Sequence, residues 1–142
     1  MSAKHAGRFL KGGTPLLLSE IKQHLETVID CPDWSVGCVH QEQEESIAIL
    51  GIPRLFPGTL QQNQSYGEKT IALIVRSNSE VKAEETAQKI YTYFFDQPQQ
   101  IKDKSIVQCI LGSDTPINVE PLPAHGIVYR IEVQIIYRKG DK

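Results

Sequence analysis

Two histidines and two cysteines in the first third of the chain have side chains that could bind a metal or serve in nucleophilic catalysis. They are His24, Cys31, Cys38 and His40. A zinc site built on a cysteine pair needs about two to four residues between the sulfurs, and the Cys31–Cys38 spacing is wider. A cysteine nucleophile needs its histidine close in space, which closeness in sequence does not supply. We therefore predict no metal, no cofactor and no catalytic residue.

Acidic residues beside lysines are a second candidate for chemistry, because carboxylates near a lysine can hold magnesium in a nuclease. Glu20–Lys22 and Glu80–Lys82 have this spacing, but both pairs fall in predicted helices rather than on a strand. The glycine pair at residues 12–13 precedes no Lys-Ser turn, so a phosphate-binding loop is absent. A small enzyme stays open as an alternative, and its sign would be a cleft with converging titratable groups.

Two groups of residues are instead typical of an interaction surface. Leu55 and Phe56 stand between two prolines in a loop with no evident reason to be buried, and such apolar loop residues often contact partners. The alternative is that they fold back onto the domain edge. The polar side of the last strand is either solvated or paired with another subunit. We predict a subunit or partner interface at Pro53, Arg54, Leu55, Phe56, Pro57, Arg130, Glu132 and Gln134.

Composition and charge limit the class of protein. The chain has 142 residues, of which 40% are hydrophobic and 23% charged, as in a single globular domain, and this excludes membrane, collagen-like and coiled-coil classes. Three cysteines without a secretory signal indicate free thiols in a reducing cytoplasm. The net charge of −2 includes seven acids against one lysine over residues 20–45. Nucleic-acid binding usually needs a basic face instead.

Hydrophobic periodicity predicts six elements in the order α-β-β-α-β-β. After a flexible basic extension over residues 1–13, a single domain spans residues 14–142. The predicted elements are a helix over Pro15–Ile29 capped by Thr14, strands over Ser46–Leu50 and Thr70–Arg76, a helix opened by a capping box at Ser77–Glu80, a strand over Ser105–Leu111, and a last strand over Ile127–Arg138. Residues 31–45 and 112–123 are predicted as loops. The fold class is α+β, with two helices on one face of a mainly antiparallel sheet.

The last strand carries the strongest pattern. Apolar residues at every second position from Ile127 to Tyr137 alternate with a mostly polar set that includes Arg130 and Arg138. Strict period two over twelve residues indicates one buried and one polar face.

The order and spacing of these elements resemble the minor capsid and tail-terminator (tail-completion) proteins of long-tailed bacteriophages. The resemblance covers roughly residues 15–138 and rests on the apolar first helix, the strand that runs into Gly51-Ile-Pro53, the strand Ile71–Arg76, the helix with Ala83, Ala87, Ile90 and Tyr91, and the Pro116–Pro123 turn before the long strand. Ile52 stands where a second glycine is expected after Gly51, and residues 1–13 have no counterpart.

The resemblance implies a structural virion protein without an active site. Such proteins form a ring, generally of six subunits, on the last layer of the tail tube, where they end tail growth and provide the surface for head–tail joining. The implied partners are a second copy of the chain, the tail tube protein and the head-completion or connector protein, with genomic DNA only as passing cargo and no membrane. The implied location is the head-proximal end of the virion tail, after assembly in the bacterial cytoplasm. Another head–tail adaptor or a different small assembly module is the alternative.

Overall fold

The computed structural model describes residues 15–40, 43–56, 65–119 and 126–139. Within these ranges the chain forms two helices and one seven-stranded sheet, which confirms the α+β class. The elements are α1 (Leu18–Glu26), β1 (Trp34–Val36), β2 (Glu45–Gly51), β3 (Tyr66–Ser77), α2 (Glu80–Phe95), β4 (Gln100–Ile101), β5 (Lys104–Leu111), β6 (Ile117–Val119) and β7 (Ile127–Arg138). The predicted basic extension over residues 1–13 lies outside the described residues.

The sheet is mainly antiparallel, as predicted. Its strand order is β1-β2-β3-β7-β5-β4, and β6 pairs with the first part of β7 beside β5. Strands β3 and β7 form the centre and pair over their full length, from Tyr66 with Arg138 to Ser77 with Ile127. Only β1 runs parallel to its neighbour, β2, among the described strands.

The predicted order of six elements was incomplete, because it lacked β1, β4 and β6. Strand β1 lies in residues 31–45, which were predicted as a loop, and β6 lies in the predicted connection over residues 112–123. These strands have three, two and three residues. So few residues cannot show an alternating pattern, and pairing with a longer neighbour decides their conformation.

Both helices begin later than the sequence predicted, and α1 also ends earlier. The hydroxyl of Thr27 donates to the carbonyl oxygen of His24 at 2.6 Å, which ends α1 before Ile29. Pro15 precedes the helix, and Thr14 lies outside the described residues. At α2 the cap is Ser79, whose hydroxyl accepts from the backbone of Lys82 at 3.3 Å, so the predicted capping box at Ser77 was wrong.

The core lies between the sheet and the two helices, which pack on the same face as predicted. On β7 the alternate residues from Ile131 to Tyr137 point into this core. The buried side chains of the helix layer are Leu16, Ile21, Leu25, Ala87, Ile90 and Phe94. The ring of Tyr137 on β7 occupies the space beside its pairing partner Gly67 on β3. An added Cβ at residue 67 would lie 2.7 Å from the ring, so this position requires glycine.

The opposite face of β7 is not the solvated face that alternation suggests. Gln134 and Ile136 are fully buried, although they point away from the helices. At Gln134 the chain itself covers the sheet, in the manner described below. None of the helices among the described residues is long and apolar enough to span a bilayer.

Candidate interaction surface

The segment that leaves β2 crosses the outer face of the sheet and reaches β7. It starts at Gly51, and the backbone N–H of Ile52 still donates to the carbonyl oxygen of Thr70 on β3 at 3.0 Å. Pro53 cannot continue the ladder, because it lacks an N–H donor and its φ is fixed. The chain therefore turns away from β3 at this residue and passes over the sheet.

Gln134 holds this segment in place. Its side-chain oxygen accepts from the backbone N–H of Leu55 at 3.0 Å and from that of Phe56 at 2.9 Å. Its amide nitrogen donates to the carbonyl oxygen of Phe56 at 3.4 Å. Because Gln134 is fully buried, these hydrogen bonds are shielded from water and the segment is held tightly.

The two halves of the predicted interface thus meet within one chain. We define the crossing segment as residues 52–56, and together with Arg130 and Glu132 it forms one continuous surface on the outer face of the sheet. Leu55 lies against Gly112, where its Cδ1 would be 3.2 Å from an added Cβ, and the side chain of Glu132 borders the same glycine. A side chain at residue 112 would press against the side chains of Leu55 and Glu132.

The predicted interface residues differ in how far they reach solvent. Pro53, Arg54 and Phe56 are exposed, and Phe56 exposes 36% of its surface. Leu55, Arg130 and Glu132 are half-buried, whereas buried Gln134 supports the surface from below. Pro57 lies outside the described residues. Sequence alternation alone put Gln134 and Arg130 on the same polar side of the last strand. What distinguishes Gln134 from Arg130 is that Gln134 lies among the buried residues of β7.

Charges on this surface are paired within the subunit. Arg130 Nε donates to Glu132 Oε2 at 2.6 Å, two residues along the same strand. Arg54 Nε lies 3.2 Å from Glu68 Oε1, with the arginine side chain 47% exposed and the glutamate 6% exposed. Sequence reasoning missed Glu68, because the strand was predicted to begin only at Thr70, whereas β3 begins at Tyr66 and includes Glu68.

The Arg54–Glu68 pair borders a cavity of about 420 Å³. It is lined by Gly51, Ile52, Pro53, Arg54, Glu68, Lys69 and Thr70. Neither oxygen of the Glu68 carboxylate accepts an aligned hydrogen bond from the described residues. The Arg54 side chain is nevertheless half exposed, and arginine is among the residue types that contribute most at protein contacts.

The residues considered first for metal or nucleophilic chemistry make separate contacts and do not form one metal-binding group among the described residues. His24 contacts the hydroxyl of Tyr93 on α2, and burial lowers the pKa of His24, with a smaller contribution from the Lys102 charge. His40 Nδ1 lies 2.8 Å from Asp33 Oδ2. Burial raises the pKa of the half-buried Cys31 thiol. No group of three histidine, cysteine or acidic side chains able to hold a metal ion occurs among the described residues.

A groove lies on the opposite side of the molecule, between α2 and the residues that follow α1. It has a volume of about 730 Å³ and is lined by Val28, Ile29, Glu85, Gln88, Lys89, Thr92 and Tyr93. Val28 is exposed there, since α1 ends before it and leaves it beside the first turn of coil. The subunit therefore has different surfaces on its two sides.

Comparison of the sequence with protein-family models and with curated proteins gives no match.

Proposed function

We propose that this chain is a structural protein of a long-tailed bacteriophage that forms a ring on the end of the tail tube. In this role it stops tube growth and provides the surface to which the head attaches. The proposal starts from the order and spacing of the elements along residues 15–138, which resemble those of tail-terminator proteins. It assigns the chain no catalytic role.

The observation that carries the proposal is the fixed crossing segment. Gln134 fastens the backbone of Leu55 and Phe56, so the exposed ring of Phe56 and the guanidinium of Arg54 are held before any partner arrives. A surface ordered in advance loses less conformational entropy on association. Aromatic residues and arginine are also the types that contribute most at protein contacts.

A ring places a specific demand on the subunit. Each copy must present two different, complementary patches, because a head-to-tail contact closes only by rotation from one copy to the next. The crossing segment is one such patch. The groove between α2 and the residues after α1 supplies an unlike patch on the other side of the sheet, with Val28 and Tyr93 as apolar contacts.

The charge of the chain is compatible with a ring around passing DNA. A net charge of −2 gives no excess of basic residues that would retain phosphates in a channel. DNA is thus cargo, and the contacts that matter are between proteins.

The first experiment is light scattering of the purified chain over a range of concentrations, with negative-stain images of the same samples. Rings with a central hole and a mass that is a fixed multiple of 15.9 kDa are expected. Since a ring can require its tube as a template, the same samples are mixed with purified tail tubes that lack a terminator. A chain that stays monomeric and also fails to bind the tube ends would overturn the proposal.

A further inference from the structure

The outer edge of β5 is covered by a side chain instead of by a strand. Gln97, directly after the last turn of α2, accepts from the backbone N–H of Cys109 with Oε1 at 2.8 Å. Its Nε2 donates to the carbonyl oxygen of Cys109 at 2.9 Å. In an antiparallel sheet the backbone N–H and carbonyl oxygen of one residue are paired in this way by a residue of the neighbouring strand. The Gln97 amide thus makes the two hydrogen bonds that such a strand residue would make to Cys109.

Gln97 has a backbone conformation that glutamine rarely adopts, although it makes these hydrogen bonds to Cys109. Its φ is +60°, in the left-handed region that favours glycine at the end of a helix. At this φ a glutamine is disfavoured by about 1 kcal/mol relative to glycine. A glycine, however, has no side chain with which to make the two hydrogen bonds to Cys109. The side chain, not the turn, therefore explains why glutamine stands at this position.

The first half of the β5 edge is protected by other means. Strand β4 pairs only with Lys104 and Ser105. The carbonyl oxygen of Gln99 accepts from Ile106 N at 2.9 Å, and a bulge places Val107 outside the ladder with β7. Bulges and short covering strands are known means of protecting a sheet edge, and Gln97 continues this protection to Cys109.

The edge is otherwise well suited to pairing with another chain. Val107 is 46% exposed, and Phe95, stacked on Tyr91 with ring centroids 6.2 Å apart, is 62% exposed beside the same strand. A cavity of about 280 Å³ lies there, lined in part by Tyr91, Phe95 and Gln108. Without the Gln97 side chain the N–H and carbonyl oxygen of Cys109 would lose these partners, and an apolar edge strand with unpaired backbone groups is a template for a second copy of the same chain.

We propose that the Gln97 side chain takes the place of a neighbouring strand at Cys109 and thereby prevents a second copy of this chain from pairing edge to edge with β5. Gln97 is thus a residue that determines which surface of the subunit self-associates. It leaves contacts through other surfaces, such as the crossing segment, unaffected.

The test uses two variants that remove or weaken the hydrogen bonds between the side chain at residue 97 and Cys109 and preserve the backbone conformation at residue 97. Gln97→Gly removes the side chain at a φ that suits glycine, and Gln97→Asn keeps an amide one methylene too short to reach both groups of Cys109. Because neither substitution strains the backbone, both variants should fold. Gln23→Ala is the control, since Gln23 is exposed on α1 and lines neither the groove beside α2 nor the cavity beside β5.

Light scattering and amide hydrogen exchange are then measured over a range of concentrations. Both Gln97 variants should form species of at least about twice the wild-type mass at the same concentration, and the control should not. At low concentration the Cys109 amide should exchange about five- to tenfold faster than in the wild type. At high concentration it should become protected again, which only intermolecular pairing produces.

A Gln97→Gly variant with the wild-type mass at every concentration, and with Cys109 exchange independent of concentration, would overturn the proposal. Gln97 would then be only a tie between α2 and β5. Ring formation by the wild-type chain and edge pairing by the Gln97 variants are separate measurements, so failure of one is distinguishable from failure of the other.

Discussion

Gln134 on β7 and Phe56 beyond β2 are joined by two hydrogen bonds across 78 residues of chain, one to the N–H and one to the carbonyl oxygen of Phe56. Through this contact a residue of the central strand determines the path of a segment at the surface. The exposed Phe56 ring and the buried Gln134 amide are therefore parts of one structure, and the first predictions concern them.

Loss of the Gln134 amide should loosen the crossing segment. In Gln134→Leu the N–H groups of Leu55 and Phe56 lose their buried acceptor, which should lower the free energy of unfolding by about 1–3 kcal/mol. Urea unfolding gives this value, and hydrogen exchange should quicken at residues 55 and 56. Gln108→Leu, on the exposed part of β5, is the control. Unchanged exchange at Leu55 and Phe56 would mean that another contact holds the segment.

Removal of the Phe56 ring should affect association and leave the fold intact. The hydrogen bonds of Phe56 use only backbone atoms and its ring is partly exposed, so Phe56→Ser should lower the unfolding free energy by only about 1–2 kcal/mol and leave the domain folded. If the ring proposal is correct, this variant should lose ring formation and the joining of heads to tails in a complementation assay. Normal infectivity with Phe56→Ser would remove the crossing segment from the interface.

A charge at Ile131 should unfold the domain. Ile131 lies in the core between the sheet and the helices, and an aspartate there would bury an unpaired carboxylate. The expected loss is about 4 kcal/mol or more, seen as a missing or much lower thermal transition. Val107→Asp is the matched control, since the bulge exposes that residue, and its melting temperature should stay close to that of the wild type.

His24 should make stability depend on pH. Burial lowers its pKa below the ordinary value of 6.5, so below pH 6.5 the unfolded chain binds a proton that the folded chain does not. The free energy of unfolding should therefore fall as the pH drops below about 6.5, down to the folded pKa. Urea unfolding at several pH values should show a smaller dependence in His24→Gln. An equal slope in both proteins would show that His24 does not contribute.

The three thiols should react at very different rates. Cys38 is exposed, Cys31 is half-buried, and burial raises the pKa of Cys109 to about 12. Since the thiolate is the reactive form, iodoacetamide at pH 8 should modify Cys38 first and Cys109 last in the native protein. Mass spectrometry of timed samples gives the order. Early modification of Cys109 would show that the α2–β5 contact opens readily.

The sequence alone predicted the elements with long patterns. Period two along β7 predicted its bounds and its buried side, and the apolar stripes predicted that both helices cover one face. These features depend on side chains a few residues apart, which the sequence displays directly. The strands of two or three residues have no such pattern, and their existence depends on their neighbours.

Which residues on the outer face of the sheet are buried depends on the tertiary structure. Alternation indicates only that Gln134 points away from the helices, and a residue on that side is solvated unless another segment covers it. The cover comes from residues 52–56, whose path depends on where Pro53 ends the ladder and on a hydrogen-bond acceptor 78 residues away. The pairing of Gln97 with Cys109 has the same origin, since a side chain can replace a strand only where the fold brings the two together. The local spacing of residues thus determined which faces of the helices and strands are apolar. Long-range contacts determined which of the other faces are exposed to solvent.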